Sequence, residues 1–361
     1  MSWQIKKEDI PLLAIGAKLI GCGGGGNPIV IQKLLMSSMN DQDAITVNTI
    51  SDLKDELVVG MGIMGSTVFY NENIPSGWEG IEVLKRYESN VSRKIGAIIP
   101  VEIGGINGLV PLLAAFQNNV PVVDGDGMGK AFPELNMTTF HLNHIPVLPL
   151  VLHSHDRYMV FQGQEDIVIT SKKAKKYIAE NGGYVHFVGF AAPAQKMKVA
   201  MIPGSLNLIY RLGAAAKSNK KIFEKLDEII TVFENSLYGK PINIAQGVVT
   251  EVNRWFESGA LIGTFTVEGR TSNSNKSVEI EFRNEFISIK GICTTPDLIL
   301  VLNDEKLTPY SVSEIQDGLP VTILAVPAPN ILRTKEILDI VGPQNFNLKD
   351  SYQPLKEDQQ K

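Results

Sequence analysis

The chain has 361 residues, 44% hydrophobic and 20% charged, with a formal net charge of −5. That profile excludes a disordered or fibrous chain. It also lacks the dense basic run of a polyanion-binding surface, so no nucleic-acid partner is expected. No window approaches the roughly 20 uncharged apolar residues of a membrane span, so no membrane partner is expected either.

Cys22 and Cys293 stand far apart with no CxxC spacing, and the N-terminus has no apolar stretch behind Lys6 and Lys7. Both features lead us to expect a cytoplasmic protein without a disulfide framework. One core seldom grows past roughly 250–300 residues, so two domains are expected.

In chain order, Ile10, Leu13, Ala14, Ala17, Leu19 and Ile20 predict a helix over 9–20, with Asp9 as its cap. Gly21 ends it, and Gly23–Gly26 follow without a break. Asn27-Pro28 then reads as a cap and first-turn proline opening a second helix through Ile31, Leu34 and Leu35. Apolar runs at 44–50, 56–59, 95–100 and 120–123 predict buried strands, and helical patterns cover 78–89 and 107–118. This alternation predicts an α/β domain with a mostly parallel sheet.

The pattern changes near 163–171, which sets the domains at 1–165 and 166–361. A helical stretch over 205–233 comes first, with a basic face at 217–225. Period-2 runs at 248–252, 261–267, 278–286, 298–302 and 321–326 then predict a mainly antiparallel β domain.

Two segments formally match GxGxxG, the dinucleotide fingerprint: 21–26 and 60–65. A helix precedes the first where a strand is needed, and 66–70 after the second reads as extended, so no nucleotide is expected. The glycines at 23–26 still free backbone N–H groups just before a helix, which suits either an anion cradle or a tight turn.

Glu102, Asp124 and Asp126 fall on Gly-rich turns after two predicted parallel strands, where ligands collect in such sheets. Asp124 and Asp126 can aim two carboxylates at one ligand, or can tie the loop down as an Asx network. Glu134 caps the next segment or joins them. His141 and His144, then His153 and His155, are spaced to share faces of a helical turn and of an extended segment. Such a set could hold a divalent metal such as zinc, although it matches no zinc signature. Cys22 reads as a small buried thiol or as a nucleophile.

In this order the motifs are similar to those of the S-methyl-thiohydantoin desulfurase family. The resemblance rests on 19–28, on 100–108 and on 121–134, and extends through 281–285, 295–298 and 341–343. It spans roughly 8–346. The Asp-Gly-Asp-Gly-Met-Gly segment at 124–129 is its most specific part. The chain departs from the family pattern at Cys22 (usually Thr), Asn27 (usually Asp) and Lys130 (usually Arg), and Lys lacks the bidentate fork of Arg.

The resemblance implies a hydrolase acting on a thiohydantoin or hydantoin-like cyclic amide, with loss of sulfur and in one variant with help from a metal. The alternative is a non-catalytic binding or accessory subunit of a hydantoinase-type system. Glu102, Asp124 and Asp126 are then the expected catalytic groups. Gly23, Gly24, Gly25, Gly26, Asn27, Gly104, Gly105, Asn107, Lys130 and Glu134 are the expected substrate contacts. A symmetric homo-oligomer is the expected assembly, on the general frequency of such enzymes.

Overall fold

A computed structural model describes residues 2–257, 259–269 and 277–356. Strand β1 (Trp3–Lys6) leads into helix α1 (Ile10–Ile20), whose entry is tied by the Asp9 carboxylate accepting the Lys6 N–H at 2.8 Å. Helix α2 (Ile29–Ser38) follows the glycine run. Asn27 is exposed and stands one residue before the helix cap, which is Pro28, and its Oδ1 accepts the Ile29 N–H at 3.2 Å.

Strands β2 (Ala44–Asn48) and β3 (Leu57–Gly65), helices α3 (Thr67–Glu72) and α4 (Glu79–Val91), strand β4 (Ala97–Pro100), helix α5 (Val110–Asn118) and strands β5 (Val122–Val123) and β6 (Gly125–Asp126) come next. Then come α6 (Thr139–Leu142), β7 (Leu150–Ser154), β8 (Arg157–Phe161), α7 (Ile167–Glu180), β9 (Tyr184–Pro193), α8 (Ala194–Ala200) and β10 (Ile202–Pro203).

Eight of these strands form one mixed sheet in the order β1-β2-β5-β4-β3-β9-β7-β8. The expected parallel layer is its centre, since β2, β5, β4 and β3 run parallel. Antiparallel strands flank it on both sides. Strand β9 inserts between β3 and β7, so the sheet draws a central strand from beyond residue 165.

The segment 66–70 departs from its extended reading. Ser66 caps a short helix, accepting the Phe69 N–H at 3.3 Å, and α3 begins there. Hydroxyl capping overrides the β-branched and aromatic propensity of 67–70. The glycines at 60–65 belong to strand β3 and form no phosphate-binding turn.

The second half opens with α9 (Ser205–Lys217) and α10 (Ile222–Glu234). It continues with β11 (Ile242–Glu257), β12 (Ala260–Gly269), β13 (Val278–Arg283), β14 (Glu285–Ile289), β15 (Cys293–Thr294), β16 (Leu298–Asn303) and β17 (Pro320–Val326), then α11 (Lys335–Val341). The strands form a seven-stranded, wholly antiparallel sheet, β15-β14-β13-β12-β11-β17-β16. Its core includes Phe265, Phe282 and Phe286, with the Phe265 ring 6.3 and 5.9 Å from the other two.

Helix α9 does not stay with that sheet. It packs on α1 so closely that a Cβ at Gly16 would strike the Ile209 carbonyl and one at Gly213 the Leu12 carbonyl. The larger of the two cores accordingly takes side chains from Ile5 through Phe346. Among the described residues, no helix is long and apolar enough to cross a membrane.

Candidate functional site

The turn that follows β4 lies against the glycine run. The turn after β4 carries Glu102, the loop after β6 carries Lys130, and β14 from the other sheet brings Glu285 to the same place. All three are buried, with exposures of 7%, 1% and 4%. Among the described residues, Glu102 Oε1, Lys130 Nζ and Glu285 Oε2 each lack a hydrogen-bond partner. Burying an ionisable atom without a partner is costly, and three such atoms at one place make it the candidate site.

The glycine loop lies over these groups. A Cβ at Gly24 would collide with the Glu285 side chain, and one at Gly25 would sit 3.1 Å from Glu102 Oε1. Gly25 also has a φ of +68°, in the left-handed region that disfavours other residues. The loop is pinned from both halves of the chain. Ile106 N–H donates to the Gly25 carbonyl at 2.8 Å, Phe286 N–H to Cys22 O at 2.8 Å and Val312 N–H to Gly23 O at 3.0 Å. Gly24 N–H is used on the Gly21 carbonyl, which leaves the N–H groups of Gly25 and Gly26 as free donors among the described residues.

The electrostatics follow from burial. Glu102 is held well above the usual carboxylate range by desolvation, then by the Glu285 and Asp126 carboxyls; the Asn107 amide and Phe132 N–H oppose the rise. Burial pushes Glu285 up to about 8 against the pull of Lys130. Lys130 Nζ stands 5.5 Å above the Phe132 ring centroid, a favourable face for an ammonium. Burial also pushes the Cys22 thiol up, which disfavours it as a thiolate nucleophile.

The structure treats the expected residues unequally. Gly23, Gly24, Gly25, Gly26, Gly104 and Gly105 build the loop and its seat, for Gly104 packs on Gly21 and Ala131 and Gly105 on Gly25. Asn107 exchanges two hydrogen bonds with Ile63, accepting its N–H at 2.6 Å and donating to its carbonyl at 3.2 Å. That fixes the end of β3 against the Glu102 turn. Asn27 points to its own helix, as above.

Glu134 is tied to α7, accepting from Ser171 Oγ at 3.2 Å and pairing with Lys175, and it does not join the buried acids.

Asp124 and Asp126 diverge. Asp124 Oδ1 accepts the Leu206 N–H at 2.9 Å and the Asn207 N–H at 3.2 Å, which caps α9. Asp126 Oδ2 accepts N–H groups of Ile103, Met128 and Gly129, and its Oδ1 accepts the Ser205 hydroxyl at 2.5 Å. Burial still raises Asp126 to about 6, with those donors opposing. Both carboxylates therefore act as loop anchors, the Asx alternative, with Asp126 one step behind Glu102.

The four histidines are not brought together. His141 is half-buried on α6, His144 is exposed, and His153 is buried in β7. His155 lies beyond the strand end with φ +52°, exposed, so the alternation that would align it with His153 is broken. Among the described residues, no group of three or more His, Cys, Asp or Glu side chains is arranged to hold a metal ion. His153 instead pairs in register with His186 on β9, a buried ring whose two nitrogens have no partner among the described residues.

Glu285 joins the candidate site although only its segment, 281–285, and not the residue itself, was singled out from the sequence. It falls in a period-2 run where a charged residue reads as solvent-facing, yet every residue of β14 is buried. The available signal was a charge directly before the largely apolar Phe286-Ile287-Ser288-Ile289.

A mixed α/β layer joined to an antiparallel β sheet, with two buried acids and a lysine under a glycine loop at their junction, defines a two-domain protein with an enclosed polar site. The chain belongs to the S-Me-THD-like family: the model of its N-terminal domain matches residues 8–162 and that of its C-terminal domain residues 165–355. Its fold is similar to the crystal structure of a protein from Chromobacterium violaceum, at 19% identity and a TM-score of 0.80 over 98% of this chain and 100% of that one. No curated protein matches the chain.

Proposed function

We propose that this protein hydrolyses a thiohydantoin-like ring at its C2 carbon, releasing the sulfur substituent and leaving a hydantoin. Membership of the family supports the thiohydantoin-related role. The observation that carries the reaction is the set of unpartnered buried atoms, Glu102 Oε1, Glu285 Oε2 and Lys130 Nζ, beneath Gly24 and Gly25.

With an S-methyl ring, water adds to C2 and forms the new C–O bond while one carboxylate takes its proton. The C–S bond then breaks, and the sulfur leaves as a thiol with a proton from the second carboxyl. The other proton of the water ends on the ring nitrogen, so the products are a hydantoin and methanethiol. Glu102, held protonated, suits the acid, and Glu285, at about 8, suits the base once ionised. Lys130 and the free N–H groups of Gly25 and Gly26 suit the charge that develops on the ring.

The test is incubation of the full chain with S-methyl-thiohydantoins while thiol release is followed. Release that is lost in Glu285→Gln supports the reading. Tight ring binding without release would favour the non-catalytic alternative, and neither binding nor release across a panel of rings would sink both.

A further inference from the structure

Helix α9 and the turn after α10 enclose a cleft of about 290 Å³ on the far side of the loop that carries Lys130. Arg211 lines it, only partly exposed, and makes no hydrogen bond or ion pair among the described residues. Asn207 and Asn235 add side-chain amides at the rim, the Asn235 amide already donating one N–H to the Thr231 carbonyl at 2.9 Å, and Leu237, 52% exposed, adds an apolar wall. The Asp124 carboxylate, at the start of α9, is occupied by the N–H groups of Leu206 and Asn207. Glu234 turns to Lys240 at 3.9 Å.

We propose that this cleft is a second ligand site, for a small organic carboxylate with a compact apolar body. A planar guanidinium without a partner matches a carboxylate through paired N–H donors. One charge, two amides and a leucine wall suit a monoanion with an aliphatic end better than a bare multivalent oxyanion. The volume lies at the lower bound of small-molecule sites, about 300 Å³.

The floor of the cleft gives the site a consequence. Ser205 and Tyr238 line it, and their hydroxyls hold the Asp126 carboxylate and the Gly129 carbonyl, the two fixed points from which Lys130 departs. A ligand resting on them steadies the loop under the buried acids. Binding itself does not depend on any reaction at those acids, so this inference and the proposed hydrolysis fail separately.

The experiment is calorimetric titration of the full chain with isovalerate at low salt, beside isovaleramide and inorganic phosphate. Isovalerate is expected to bind once per chain with a Kd on the order of a millimolar, fitting so small a ligand. Arg211→Met should weaken it at least about tenfold, the loss of one charged contact, and Arg211→Lys should restore part of the affinity. Circular dichroism checks that both variants fold, and a variant that does not is replaced by Asn207→Ala with Asn235→Ala, which should weaken binding by a smaller factor. Equal binding of isovaleramide, tighter binding of phosphate, no saturable binding of isovalerate, or an unchanged Kd in folded Arg211→Met would each overturn the assignment.

Discussion

Glu102 and Glu285 come from different sheets yet sit against neighbouring glycines of one loop, Gly25 over the first and Gly24 over the second. Burial raises the cost of ionising both carboxyls, and Glu285 is the foremost charge holding Glu102 up. Carboxyls that resist ionisation in this way make stability depend on pH, which is measurable.

Glu285 titrates at about 8 in the folded chain and near 4.5 when unfolded. Between those values the folded state keeps a proton that the unfolded state has shed. Stability from this group is therefore complete below pH 4.5 and is lost as pH rises to 8. Glu285→Gln removes the titration. Urea unfolding at pH 5 and pH 8 should show the variant gaining on the native chain by on the order of 2–4 kcal/mol at the higher pH. The same relative stability at both values would show that Glu285 ionises freely.

Gly25→Ala should cost on the order of 2–4 kcal/mol, because it combines a strained left-handed backbone with contacts of 3.0 to 3.1 Å against Gly104 and Glu102. Ring binding should weaken more than global stability does, which calorimetry and thermal unfolding of the same preparation can separate. A variant with native stability and native binding would mean the loop has room to spare.

Lys130→Met keeps the stem and removes the ammonium. Glu285 then loses the charge that favours its ionised form, so any pH–rate profile should move to higher pH, with turnover falling on the order of 100-fold. Lys130→Arg should recover part of the rate, since the positive charge remains. A profile that stays in place in Lys130→Met would remove the lysine from the site's electrostatics.

Asp124→Ala removes the α9 cap and should cost about 1 kcal/mol, with little change in turnover at a temperature where the variant is folded. Asp126→Ala strands three backbone N–H groups and a hydroxyl, and should cost more, on the order of 3 kcal/mol. Paired melting curves and rates settle the order. A turnover loss in folded Asp124→Ala as large as that in Glu285→Gln would return Asp124 to the chemistry.

The opposite pH sign belongs to His186. Burial pushes it down to about 4, partly offset by Glu79, so the unfolded state binds its proton first as pH falls from 6.5. Stability is lost across that window, and His186→Gln should flatten the fall in Tm between pH 6.5 and 4. Parallel slopes in the two proteins would mean that the ring is hydrated in the fold.

Much of the fold was legible because periodicity reports burial. Ile10 through Ile20, the apolar runs before Glu102 and Asp124, and the period-2 strands after Gly247 all appear near where the pattern puts them. Residues 66–70 were misread because one capping hydroxyl outweighs local propensity. At the site, the glycine run and Glu102 could be found from local signals alone. The roles of Asp124 and Asp126 could not, since their partners at 205–207 are remote in sequence. Glu285 was hidden for the same reason, since one face of β14 packs in its own sheet's core while Glu285 lies against Gly24 of the opposite half.

The late arrival of β9 between β3 and β7 bears on how the chain is made. A nascent chain released only as far as residue 165 holds β3 with an open edge, and both flanking edges stay exposed until residue 193 has emerged. Glu102 waits longer still, uncovered on one side until β14 is synthesised. Translation thus passes through a long interval of unpaired strand edges, during which aggregation competes with assembly. A chain interrupted between the two family domains would be a sticky fragment with an open sheet.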